Sequence, residues 1–131
     1  MAKQNLAVFA KDGIIANAIV NTANTNRDGS TGTYTLLYSA TGDGARITYI
    51  RAKAIVTTTA GAIRIFIKPN GGTLRQFGVI PIPAVTVSAT VDGAEGEFYL
   101  TEPLIMNSGD EIRVTNEKSE AINVFALGSA Y

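Results

Sequence analysis

The chain has 131 residues, 46% of them hydrophobic, with no cysteine or histidine and eleven basic residues balancing eleven acidic ones. That length suits one domain with its own core, and the missing residue types exclude disulfides, thiol nucleophiles, Ser-His and Cys-His catalysis, and zinc sites of imidazole or thiolate. Zero net charge, with basic residues scattered among acidic ones, argues against a nucleic-acid partner, because phosphate binding needs a concentrated basic face.

Residues 1–13 (MAKQNLAVFAKDG) read as an arm that precedes a single domain over 14–131. The apolar run from Leu6 to Ala10 is too short for a secretory signal or a membrane span, so the expectation is a soluble chain made in a cytoplasm, with no membrane partner. Leu6, Val8 and Phe9 are apolar on a segment bounded by Lys3 and Lys11, which makes them the candidate interface residues. Either they add a strand to the domain's own sheet edge, or they pair with a neighbouring subunit by strand addition.

Ile14–Val20 is too densely apolar to assign by period alone and is read as a strand. Asn21–Gly32, rich in Asn, Thr, Gly and Ser, is loop chemistry. Thr33–Ala40 predicts a strand with Tyr34, Leu36 and Tyr38 on one side, and Thr41–Gly44 a tight turn. The stretch Ala45–Pro69 is the centre of the pattern. Ile47, Tyr49, Arg51 and Lys53 share one parity, Ile50, Ala52, Ala54 and Val56 the other, and Ile63, Ile65 and Ile67 resume an apolar face. With a corner at Ala60-Gly61, it predicts a hairpin of two long strands in the middle of a sheet.

After the Asn70-Gly71-Gly72 turn, Thr73–Ile82 meets Pro81 and Pro83 and is read as an edge strand, since proline cannot donate to a ladder. Ala84–Val91 alternates β-branched residues and reads as a strand. Asp92–Gly96 turns into Glu97–Glu102, Pro103 ends that run before Leu104–Met106, and Asn107–Asp110 turns into Glu111–Asn116. A charged tip at Glu117–Glu120 leads to the last strand from Ile122. The total is eight strands from Thr33 onward and no helix. The expectation is an all-β, eight-stranded antiparallel jelly-roll sandwich with an extended N-terminal arm, an immunoglobulin-like or fibronectin-like sandwich being the competing architecture.

Candidate chemistry is sparse. Asp12, Asp28, Asp43, Asp92 and Asp110 each adjoin glycine, as calcium loops do, but no loop stacks acids at alternate positions and ordinary turn chemistry accounts for them. Glu95, Glu97 and Glu102 lie close enough in sequence to suggest a hydrolytic carboxylate pair, although charges beginning a strand also deter aggregation. Tyr34, Tyr38, Tyr49, Phe98 and Tyr99 could line a sugar-binding surface, but without tryptophan a core or interface role is favoured. Gly42-Asp43-Gly44 is no phosphate loop, having neither the lysine nor the helix start. No catalytic residue, metal or cofactor is expected, and no enzyme.

Residues 33–131 resemble the jelly-roll cement or decoration proteins on capsids of tailed bacteriophages. The likeness runs through TYTLLYSATGDGARITYIRAKAIVTT, AIRIFIKPNGGTLRQFGVI and FYLTEPLIMNSGDEIRVTNEKSEAINVFALGSAY, and is strongest in L-x-x-P-L-x-M-x-x-G-D-x-I-x-V. It implies a structural protein on the capsid exterior, with the major capsid protein and further copies of itself, as a dimer or trimer, for partners, and it makes the capsid shell, as well as a neighbouring subunit, a surface for Leu6, Val8 and Phe9. A carbohydrate- or ligand-binding module, as on a tail fibre, is the alternative.

Overall fold

Apolar residues recurring at every second position set the strands: β1 (Asp12–Val20), β2 (Thr35–Ser39), β3 (Ala45–Ala54), β4 (Gly61–Lys68), β5 (Arg75–Ile82), β6 (Glu95–Met106), β7 (Glu111–Asn116) and β8 (Ile122–Ala130). The computed structural model describes residues 11–131. They form a β-sandwich of two antiparallel four-stranded sheets, ordered β1-β8-β3-β6 and β2-β7-β4-β5, with no helix among the described residues. Between the sheets, Ile47 and Ile50 of β3, Ile122 and Val124 of β8, Ile63 and Ile65 of β4, Ile80 of β5 and Ile112 and Val114 of β7 are fully buried. Burying each such side chain is worth about 1.5–3 kcal/mol.

The hairpin expected around Ala60-Gly61 does not form. β3 lies between β8 and β6 in one sheet, and β4 between β7 and β5 in the other, so residues 55–60 cross from sheet to sheet. Each strand is interior to its own sheet, which is why both are so apolar. β5, with Pro81 inside it and Pro83 just beyond its end, is an edge strand as expected. Ala84–Val91 is no strand: its one ladder contact is an isolated bridge from Val85 to Thr58. From Thr35 onward there are therefore seven strands, and β1 completes the two sheets. It starts at Asp12, inside the segment read as arm.

Two bulges reset the side-chain parity. Between Ile47 and Tyr49 the register of β3 shifts, and the buried set changes from Ala45 and Ile47 to Ile50, Ala52 and Ala54. Tyr49, Arg51 and Lys53 are thereby turned outward. Opposite this bulge, β6 skips Leu100–Pro103 in its pairing, a place where a proline costs no ladder bond. In β2 a shift between Leu36 and Tyr38 buries Leu37 and leaves Leu36 exposed, against the parity read from sequence.

The centre of the outer face of β2-β7-β4-β5, at Arg64, Phe66 and Thr115, is covered, while Leu36 and Val79 at its edges stay exposed. Phe66, adjacent to the inward Ile65, is nonetheless fully buried, with the Tyr34 ring edge-on at 4.9 Å. The polar loop 21–34 that carries Tyr34 is ordered by two side chains. Buried Asn24 donates to the Thr31 and Thr33 carbonyls, each at 3.1 Å, and accepts from the Asn26 N–H at 3.0 Å. Asp28 accepts the N–H groups of Ser30 and Thr31 at 3.0 Å, the Thr31 hydroxyl at 2.7 Å and the Tyr34 hydroxyl at 3.1 Å. Gly29, at φ 78°, fits against the Leu74 carbonyl where a Cβ would collide with it.

These bonds, led by the Ser30 N–H, hold the Asp28 carboxyl well below the usual carboxylate range. A depressed folded value contributes stability above the unfolded value of about 3.9 and loses it only at more acid pH. Hydrogen exchange at the Ser30 and Thr31 amides should stay protected from pH 7 down through pH 4. In Asp28→Ala it should be fast throughout. Equal protection in the variant would show that Asp28 does not order the loop.

Candidate functional site

The opposite outer face, on β1-β8-β3-β6, is bare. The pairing registers set Ile15, Leu127, Tyr49 and Tyr99 side by side, one from each strand, in a single row across the sheet. Ile15 is 75% exposed and Tyr99 68%. The Tyr49 and Tyr99 rings stack with centroids 4.8 Å apart, which fixes two large amphipathic side chains at the row's end. The next row is Asn17, Phe125, Arg51 and Glu97, and the one after it Ile19, Asn123, Lys53 and Glu95.

Charges border the aromatic pair in a closed network. Arg51 reaches Glu95 at 2.9 Å, Glu97 at 3.1 Å and the Tyr49 hydroxyl at 3.3 Å. Lys53 donates to Glu95 at 2.9 Å and to the Gly93 carbonyl at 3.0 Å. The Lys53 hydrogen bond, with the charge of Arg51, lowers the Glu95 pKa. The Tyr99 hydroxyl, donating to the Glu97 carboxylate, is pushed up, and Arg51 is held more firmly protonated by Tyr49 and Glu95. In water such ion pairs add little stability. Their effect is to hold the rim of the apolar row in one arrangement.

This geometry does not suit glycoside hydrolysis by a carboxylate pair, which needs one carboxylic acid kept protonated. Glu95 is held ionised, and Glu102 lies apart, in the stretch where β6 leaves its register with β3. The aromatics are dispersed as well. Tyr34 lies on Phe66, Tyr38 packs against the core, and Phe98 pairs with Phe77 at 5.8 Å, so of these five only Tyr49 and Tyr99 share the open face, with Phe125 in the next row. Among the glycine-flanked acids, Asp110 accepts the Asn70 and Asn107 N–H groups at 2.8 Å, which ties it into turns. No cluster of three or more acidic side chains among the described residues is placed to hold a metal ion.

Leu6, Val8 and Phe9, the candidate interface residues, lie outside the described residues. The exposed row itself was missed from sequence, because its members come from four separated strands and depend on the β3 bulge. One signal was present: in β1 the large Ile15 and Ile19 alternate with the small Ala16 and Ala18, and the large ones face outward. No protein-family model matches the chain, and no curated protein is significantly similar to it in sequence.

Proposed function

We propose that the protein is a structural virion component: a jelly-roll cement or decoration protein that binds the outside of a tailed-phage capsid and reinforces it. Its partners in this reading are the major capsid protein and further copies of itself. The jelly-roll part is supported by the nested pairing of β1 with β8, β2 with β7, β3 with β6 and β4 with β5, distributed over two sheets. The virion part draws on the sequence resemblance.

The observation that carries the reading is the bare row Ile15, Leu127, Tyr49 and Tyr99 beside its charged rim. An exposed apolar centre edged by fixed polar groups is the anatomy of a protein–protein interface, and a lone soluble domain rarely leaves one open. A sugar-stacking module draws some support from Tyr99, but Tyr49 already covers one face of that ring.

Purified particles should contain the protein in a copy number comparable to the shell protein. Tyr99→Glu should weaken rebinding to stripped particles at least tenfold, the scale of a central interface residue. A few copies per particle, or binding that survives the substitution, would overturn the reading in favour of a tail-borne ligand binder.

A further inference from the structure

Two open sheets have four edges, which among the described residues are β1, β6, β2 and β5. Edges invite a foreign strand unless something deters it. β6 carries Glu95, Glu97, Glu102 and Pro103 and breaks its own register, β5 carries Arg75 and Pro81, and β2 is five residues with a shift in the middle. β1 has no such protection. It keeps an unbroken nine-residue register with β8, and from Gly13 to Val20 it holds neither charge nor proline.

The ladder also indicates which backbone groups are unused. The Tyr131 N–H donates to the Gly44 carbonyl at 3.2 Å, so the chain there turns odd-numbered residues toward β3 and even-numbered ones toward β1. Through the register Ala16 to Ala126, β1 then spends its even positions on β8. Gly13, Ile15, Asn17 and Ile19 direct N–H and C=O away from the sheet, and among the described residues no strand pairs with them.

The β1 sequence names its own partner. Ile14-Ile15-Ala16-Asn17-Ala18-Ile19-Val20 is nearly the same read in either direction about Asn17. We propose that β1 is a dimerisation strand: two copies join antiparallel, β1 to β1, about a two-fold axis at Asn17, and fuse their sheets into one. In that register Ile14 lies beside the partner's Val20, Ile15 beside Ile19, Ala16 beside Ala18, and the two Asn17 amides meet. Large apolar groups therefore face large ones, small face small, and no charge is opposed within the pairing. An isologous contact demands this self-complementarity, and a strand from an unrelated chain has no reason to supply it. The inference specifies a surface for the self-association proposed above, and it stands on the strand whether or not the protein sits on a capsid.

Light scattering on the full chain should give twice 13.8 kDa. Because the chain lacks cysteine, a single introduced thiol reports the axis. In Asn17→Cys the two thiols belong to residues about 5.5 Å apart between Cα atoms, within disulfide reach, and mild oxidation should crosslink the dimer. In Ile19→Cys, also on the exposed side, four residues of offset hold the thiols roughly 13 Å apart, and no crosslink should form. Asn17→Lys should run as a monomer with its strand circular dichroism intact, since position 17 faces solvent in the single chain. A monomeric native chain, equal crosslinking of the two cysteine variants, or a dimeric Asn17→Lys would overturn the proposal. Selective crosslinking of Asn17→Cys without any particle binding would support the dimer and overturn the capsid reading.

Discussion

Glu117→Ala should destabilise the fold by about 3 kcal/mol, whereas Arg64→Met should cost less than half as much. The two residues form an ion pair at 3.1 Å on the outer face of β2-β7-β4-β5. Their environments differ: the Arg64 side chain is 6% exposed and that of Glu117 30%. Removing Glu117 leaves a guanidinium buried without its counter-charge, and Arg64 Nη1 already has no hydrogen-bond partner among the described residues. Removing Arg64 leaves a carboxylate that water still reaches, while methionine keeps most of the packing volume against the sheet. Urea denaturation of both variants decides the matter, and the double variant should lose no more than Arg64→Met alone. Equal losses from the single variants would mean that burial of the charge is not what the pair is about.

Gly128→Ala should cost about 3 kcal/mol, the upper end for overpacking, because the obstruction is main chain. Gly128 lies in β8 with Ile14 on one side and Ile47 on the other, where the β3 bulge begins. A Cβ there would run into the Arg46 carbonyl and the Ile47 Cα, and neither can rotate aside as a side chain would. Gly13→Ala is the control. Its Cβ would meet nothing within 4 Å, so the change should fall within about 0.5 kcal/mol. If both substitutions proved harmless, the close approach of β8 to the bulge would have to be softer than its geometry states.

Which parts of this fold were legible depends on what a two-residue period encodes. Alternation marks where Ile112 and Val114, or Ile122 and Val124, turn inward, and it located β3, β4, β7 and β8 well. Alternation is silent about partners. The stretch 55–60 has the small and β-branched residues of a hairpin, yet it carries the chain across to the second sheet. Ala84–Val91 alternates as regularly as any strand in the chain, but it follows Pro81 and Pro83 and finds one bridge instead of a ladder. The candidate surface was the least legible part. A single extra residue at Thr48 exchanges the faces of everything after it in β3, and so puts Tyr49 beside Tyr99 rather than beneath Ile47. The apolar residues on either side of Thr48 do change parity in the sequence, which is the mark such a bulge leaves.

The position of β8 between β1 and β3 also dictates an order of events on the ribosome. β1 is made before every other described strand, and the one described strand it pairs with is made after all the rest. Roughly a hundred residues separate them, which at the usual elongation rates is about 5–20 s of synthesis. During that interval β4 can find β5 and β3 can find β6, but Ile14–Val20 has no place in either pair. The sheet that bears the exposed row is therefore completed only after translation has passed residue 130, in a late step that depends on distant contacts. Until then an uncharged, self-complementary strand waits unpaired on every nascent chain of a polysome. Close spacing of those chains would let the same pairing that makes an orderly dimer join two unfinished molecules, so fast initiation on this message should lower the yield of soluble protein.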